Sequence, residues 1–107
     1  MIKFVIYQTS SGKEPYSEWE DNLDYSILDK VRSRIARVRL GNFGDAKMLK
    51  GANGVWELRI DCGPGYRIYF GKIGQTIVIL LTGGDKKSQK SDVEKAKRYW
   101  LDYKDKI

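Results

Sequence analysis

Between residues 55 and 87 the hydrophobic and polar positions follow the pattern of three consecutive strands. Apolar side chains at 56, 58 and 60 alternate with charged ones, and the alternation resumes at 66–70 after a turn at 62–65 that contains two glycines and a proline. A period of two places successive side chains on opposite faces of a strand. The two segments therefore predict a β-hairpin with one buried face and one face exposed to solvent.

The segment that follows this hairpin, residues 77–81, is apolar at every position. A strand of this composition is covered on both faces, which predicts a place near the centre of the sheet. Alternation of Ile2, Phe4 and Ile6 with other residues predicts an N-terminal strand, and residues 46–50 predict a short one. The pair Asn53-Gly54 is typical of a two-residue hairpin turn that leads from the short strand into the central hairpin.

Helical spacing indicates two helices between the first strand and residue 41. The first has an apolar face of Tyr16, Trp19 and Leu23, with Ser11 as its predicted cap and Pro15 in its first turn. The second has apolar residues at 27, 28, 31, 35 and 38, and the glycine at position 41 is its predicted end. Both helices precede the central strands.

A last helix is predicted to begin at a capping box formed by Ser91 and Glu94, and one of its faces is rich in aromatic residues. The order of elements predicts an α+β fold, in which an antiparallel sheet of four to five strands packs against two N-terminal helices and a C-terminal helix. A chain of 107 residues has room for one such domain, and we expect it to span residues 1–107.

The net charge of +6 is carried entirely by the second part of the chain. Residues 1–45 contain seven Lys or Arg and seven Asp or Glu, whereas residues 46–107 contain thirteen and seven. A basic surface on the sheet suggests a polyanionic partner such as RNA, and the alternative is that excess lysine only keeps the protein soluble. Within the helical pair, an acidic stretch at 14–29 precedes a basic one at 30–39, which indicates either mutual compensation or a partner surface.

Several kinds of chemistry lack the residues they need. The chain has no histidine and a single cysteine, Cys62, so zinc sites, disulfides and His-based catalytic triads are not expected, and we expect no cofactor. The longest apolar run is far shorter than the roughly 20 residues of a membrane span, and the N-terminus does not have the layout of a signal peptide. We therefore expect a cytoplasmic protein that does not contact a membrane.

The exposed face of the predicted hairpin presents Arg59, Arg67 and Tyr69, and the segment after the third strand presents Lys86 and Lys87. Because the three strands are neighbours, we expect these cations to converge, with the Arg67 side chain pointing out of the sheet. The planar fork of arginine matches phosphate, and convergent cations stabilise the charge that develops during RNA cleavage. The alternative is structural: the arginines pair with nearby carboxylates and the lysines lie in a solvated loop.

Three short motifs occur in a fixed order, WELR at 56–59, GYR at 65–67 and KKSQ at 86–89. In this order and spacing they resemble HigB-like toxins of the RelE/ParE superfamily, the phage-related addiction module killer group. The order of elements is similar along the whole chain. The resemblance implies a RelE/ParE-like fold and the toxin of a type II toxin–antitoxin system. For the RelE and HigB branches it also implies a metal-independent endoribonuclease, an mRNA interferase that cleaves mRNA on the ribosome.

The resemblance also implies roles for individual residues. The arginine of GYR matches the position at the scissile phosphate, WELR supplies a basic neighbour and KKSQ the basic loop. The catalytic candidates are thus Arg67, Lys87, Arg59, Lys86 and Tyr69, and the candidates for RNA binding are Lys47, Lys50, Lys90 and Gln89. The chain departs from RelE in having Glu57 on the strand where RelE has a second lysine, and in lacking the RelE tyrosine near the C-terminus. The general base is therefore open among Lys87, Tyr69 and Glu57.

The implied partners are a HigA-like antitoxin with a helix-turn-helix domain, the ribosome and mRNA. Two other functions fit the same resemblance. One is a ParE-type protein that blocks DNA gyrase without chemistry of its own, and the other is an inactive phage remnant that only binds its antitoxin.

Overall fold

The computed structural model describes residues 1–107 and contains five strands and three helices. In chain order they are β1 (Lys3–Ile6), α1 (Pro15–Asp21), α2 (Tyr25–Arg39), β2 (Ala46–Met48), β3 (Trp56–Ile60), β4 (Tyr66–Ile73), β5 (Ile77–Asp85) and α3 (Gln89–Lys106). The α+β fold with two N-terminal helices and a C-terminal helix is therefore confirmed. No helix is both long enough and apolar enough to cross a membrane.

The five strands form one sheet in the order β1-β5-β4-β3-β2. Strand β5 lies inside the sheet between β1 and β4, as its continuous apolar run predicts. The pairs from β2 to β5 are antiparallel, but β1 runs parallel to β5, with Lys3 opposite Ile77 and Ile6 opposite Leu80. The sheet is thus mixed rather than wholly antiparallel. No hairpin turn joins β1 to β5, so nothing forces this pair of strands to run in opposite directions.

Each face of the sheet has its own apolar core. Leu58, Ile68 and Phe70 belong to the core shared with α1 and α2, whereas Tyr69 and Leu81 belong to the core beneath α3. The face of the β3–β4 hairpin that the alternation pattern left to solvent is therefore the face that α3 covers. The expectation of an exposed hairpin face is wrong for Glu57, Arg67 and Tyr69, whereas Arg59 and Asp61 keep access to solvent. Alternation separates the two faces of a strand without revealing what packs on each.

The helices approach the sheet closely at two glycines of the central strands. A Cβ atom on Gly71 would lie 2.4 Å from the Trp100 ring of α3, and one on Gly83 would lie 2.3 Å from the Trp19 ring of α1. Real Cβ atoms do not come this near to a ring carbon. The two large rings therefore pack directly on backbone, one on each face of the sheet.

The N-terminal helices follow their local signals with one difference. α2 ends at Arg39, and Gly41 has a φ of +93°, the left-handed conformation predicted for a glycine that ends a helix. α1 begins at Pro15 as expected for proline in a first turn, but Glu14 rather than Ser11 occupies the N-cap position.

The start of α3 differs from the predicted capping box. Ser91 lies inside the helix, and its hydroxyl donates to the carbonyl of Ser88. Asp85 stabilises this end instead, since its carboxylate accepts a hydrogen bond from the backbone N–H of Ser88. The turn at Asn53-Gly54 also differs. Both residues have positive φ, as such a turn requires, but they belong to a longer connection at 49–55 and not to a two-residue hairpin.

The contact between Gly71 and Trp100 leads to a stability prediction. We expect Gly71→Ala to lower the free energy of unfolding by about 3 kcal/mol, because the added methyl group overpacks a buried ring. Urea denaturation of Gly71→Ala, Trp100→Leu and the double variant measures this. The double variant should be clearly more stable than the sum of the two single changes predicts. Strict additivity would show that the ring is not the cause.

Candidate functional site

A buried carboxylate lies at the centre of the candidate site. Glu57 is in the middle of β3, directly opposite Tyr69 of β4, and its side chain is 0% exposed. The alternation pattern placed Glu57 in solvent, and this expectation is wrong because α3 packs over that face. A buried carboxylate is unfavourable unless it is paired and hydrogen-bonded. Its partners therefore determine whether this region of the sheet is stable.

Three side chains satisfy the Glu57 carboxylate. Arg59 donates a hydrogen bond from Nε at 3.1 Å, and Gln89 of α3 donates one from Nε2 at 3.1 Å. Arg67 forms an ion pair, with its Nε 3.4 Å from the second oxygen, but this nitrogen makes no hydrogen bond. Arg59 and Arg67 face each other across β3 and β4, so two guanidinium groups lie side by side. The carboxylate between them compensates their repulsion.

The position of Arg67 differs from the expected one. Its side chain does not point freely into solvent and is only 11% exposed. The guanidinium nevertheless lines a cleft of about 390 Å³ at the end of the sheet, together with Arg59 and Lys86. The turn Gly63-Pro64-Gly65 also lines the cleft. Gly65 has a φ of +85°, and Arg67 Nη1 lies 3.7 Å from the place a Cβ atom would occupy. We call this space the arginine cleft.

The two lysines of the KKSQ motif diverge. Lys86 lines the arginine cleft together with Arg59 and Arg67. Lys87 lines a different cleft, which is formed with Trp19 and Tyr66 on the α1 side of the sheet. The structure therefore brings together three of the five catalytic candidates, Arg59, Arg67 and Lys86, and separates Lys87 from them.

The fifth catalytic candidate, Tyr69, is completely buried. Its hydroxyl oxygen has no hydrogen-bond partner. Burial raises the pKa of the phenol above its usual range, the charges of Glu57 and Asp92 raise it further, and Arg67 opposes them. A neutral phenol without access to solvent cannot touch a substrate. Of the three candidates for the general base, Glu57 and Tyr69 are buried and Lys87 lies outside the arginine cleft.

None of the four candidates for RNA binding lines the arginine cleft. Lys47 is exposed on β2 opposite Glu57, Lys50 is exposed in the connection from β2 to β3, and Lys90 is exposed in the first turn of α3. Gln89 turns inward to Glu57, so its amide is engaged in the structure of the site. The lysines remain available for a polyanion, and Gln89 does not.

Two features of the site were missed by reasoning from the sequence. Asp45 lines the arginine cleft beside Asp61, so acidic groups lie within reach of its cations. Asp92 is buried in α3, accepts a hydrogen bond from the Ser88 hydroxyl and packs on Gly84, where a Cβ atom would collide with it. The position of Asp92 in the sequence could have revealed that it is buried. Asp92 precedes Ala96 and Trp100 at intervals of four, on the buried face of the helix.

No group of three or more His, Cys, Asp or Glu side chains is arranged to hold a metal ion. The cleft is thus lined by three cations and two carboxylates, and the Nε atoms of both arginines lie against Glu57. Such an arrangement is suited to holding a phosphodiester. The guanidinium groups and the ammonium group can contact the two phosphate oxygens that are not esterified.

Residues 18–99 match the family described as phage derived protein Gp49-like (DUF891), and the chain belongs to this family. The Gp49-like family is associated with toxin–antitoxin modules. The chain is also similar to an uncharacterized protein of Haemophilus influenzae, with 48% identity over 68 residues that cover 64% of this chain and 67% of the relative.

The buried carboxylate leads to a second stability prediction. We expect Glu57→Gln to lower the free energy of unfolding by about 3 kcal/mol, since it leaves two neighbouring guanidinium groups without their counter-charge. Glu94→Gln is the matched control. Its side chain is 63% exposed and its ion pair with Lys97 lies on the surface, so a change below about 0.5 kcal/mol is expected. Equal effects of the two variants in urea denaturation would contradict the proposed role of Glu57.

Proposed function

We propose that this chain is the toxin of a type II toxin–antitoxin pair, a metal-independent endoribonuclease that cleaves mRNA on the ribosome. The observation that carries the proposal is the arginine cleft, in which Arg59, Arg67 and Lys86 converge at the end of the sheet. Membership of a family associated with toxin–antitoxin modules supports the biological context.

The anchoring of Arg67 supports a catalytic role for this side chain. Its Nε faces Glu57, so the terminal nitrogens of the fork are the ones directed along the cleft wall. A guanidinium held in place before the substrate arrives needs little reorganisation during the reaction. A group of this kind stabilises charge that develops on the phosphorane oxygens more effectively than a freely moving surface cation.

The reaction we propose is transfer of the phosphate within RNA. The 2′-oxygen attacks phosphorus as its proton passes to the carboxylate of Asp61, and the bond from phosphorus to the 5′-oxygen breaks. The ammonium of Lys86 gives a proton to the departing oxygen, which leaves a 2′,3′-cyclic phosphate and a 5′-hydroxyl group. Both residues line the arginine cleft and are exposed, which supports these roles over Glu57, Tyr69 and Lys87.

The partners belong to the same proposal. A HigA-like antitoxin with a helix-turn-helix domain holds the toxin inactive, and the ribosome presents the mRNA. The exposed Lys47, Lys50 and Lys90 lie outside the cleft and supply further contacts to the RNA backbone. Inhibition of DNA gyrase and simple binding of an antitoxin are the alternatives against which the experiments below are designed.

Pulse labelling distinguishes these functions in cells. Expression of the chain without its antitoxin should stop growth, with protein synthesis falling before DNA synthesis, because cleavage of mRNA acts on translation directly. A strain carrying the empty vector is the control. A fall in DNA synthesis while translation continues would favour gyrase as the target. No change in either, with the protein present in the lysate, would favour an inactive remnant.

The fork of Arg67 can be tested with a change that keeps its charge. We expect Arg67→Lys to reduce the rate of mRNA cleavage on ribosomes on the order of 10²–10³-fold, because lysine retains a charge but loses the preorganised planar donors. Arg98→Lys is the matched control, since Arg98 is exposed on α3, and it should cleave at the parental rate. Urea denaturation of both variants separates lost catalysis from lost folding. A parental rate for Arg67→Lys would remove Arg67 from the catalytic site.

A further inference from the structure

A second cleft, of about 540 Å³, opens at the same end of the sheet as the arginine cleft but on the α1 side. Its lining includes Trp19 of α1, Asp24 at the start of α2, Tyr66 of β4 and Lys87. We call it the aromatic cleft. Tyr66 directly precedes Arg67 in β4, so the two side chains leave the same strand end on opposite faces. A chain bound in the arginine cleft can therefore continue over this end of the sheet into the aromatic cleft.

The polar groups of the aromatic cleft are not all engaged with each other. Asp24 occupies the N-cap position of α2 but makes no capping bond with its side chain. Asp85 differs, because its carboxylate accepts a hydrogen bond from the backbone N–H of Ser88. Lys87 takes part in none of the five ion pairs of the protein. The cleft therefore combines one unengaged carboxylate, one unpaired cation and two aromatic rings.

This combination of groups fits a nucleobase. Bases of single-stranded RNA bind by contact with aromatic rings and by hydrogen bonds to their edges. Guanine presents two adjacent N–H donors on its Watson–Crick edge, and these match the two oxygens of a carboxylate. The other three bases lack such a pair of neighbouring donors.

We propose that the aromatic cleft binds the base of the nucleotide next to the scissile phosphate and prefers guanine. Trp19 and Tyr66 contact the base, the carboxylate of Asp24 accepts hydrogen bonds from its N–H groups, and Lys87 binds the phosphate of that nucleotide. This inference rests on the proposed function, since it takes the substrate to be RNA. It makes Lys87 a positioning residue rather than a catalytic one, which agrees with its separation from Arg67.

Binding of short RNA that cannot be cleaved tests the base contact directly. The probes are fluorescein-labelled 2′-O-methyl hexanucleotides, GUGUGU and the same sequence with inosine for guanine, which removes only the exocyclic amino group. The parent protein should bind the guanine probe about tenfold more tightly in fluorescence anisotropy, because inosine leaves one carboxylate oxygen without its donor. Equal affinity for the two probes, or binding of neither, overturns the inference.

Two variants assign the contacts. Asp24→Ser keeps a good N-cap residue but removes the carboxylate, so the ratio of the two affinities should fall to near one. Asp105→Ser, with the same change in net charge on exposed α3, should keep the parental ratio. Lys87→Gln should lower the affinity for both probes equally and reduce the salt dependence of binding. Lys13→Gln should change neither the affinity nor its salt dependence. An unchanged ratio in Asp24→Ser overturns the role of Asp24.

Mapping of mRNA cuts in expressing cells separates this inference from the proposed function. Cuts by the parent should be enriched beside guanine, and Asp24→Ser should still cut but lose that enrichment. If the parent cuts mRNA with no preference for guanine, the inference fails and the proposed function stands. If the parent makes no cuts, the proposed function fails, and the comparison of the two probes decides whether the cleft binds guanine.

Discussion

The carboxylate of Glu57 is the group on which the rest of the site depends. It lies between two arginines that face each other on β3 and β4, and it also accepts a hydrogen bond from Gln89 of α3. Without this charge the guanidinium groups would repel each other at a position largely closed to solvent. One buried side chain therefore holds the hairpin and the C-terminal helix together and directs Arg67 along the cleft. Stability and the geometry of the cleft are coupled through it.

Close packing of the helices makes this arrangement possible. Gly71, Gly83 and Gly84 are three positions of the central strands at which a side chain would collide with Trp100, Trp19 and Asp92, respectively. Absence of a Cβ atom lets a ring lie on the backbone from each side and lets the first turn of α3 descend onto the end of β5. The helix is thereby close enough for Gln89 to reach Glu57 beneath it.

The end of the sheet is divided into two surfaces of different chemistry. Arg59, Arg67 and Lys86 line one cleft, and aromatic rings with a free carboxylate line the other. The first suits a phosphate and the second a flat base with N–H donors. A single strand of RNA carries both kinds of group in regular alternation, which supports a substrate that crosses the sheet end.

The sequence by itself determined the elements, the inner position of β5 and the end of the sheet at which the cations gather. Burial of one or both strand faces leaves a direct mark on composition, and hairpin pairing brings Arg59 and Arg67 together. Only the tertiary structure decided which side chains meet solvent. Because α3 follows β5 in sequence yet covers β3 and β4, the local pattern could not show that Glu57 and Tyr69 are buried. The divergence of the lysines after β5 likewise depends on the path of the backbone into α3, which alternation does not encode.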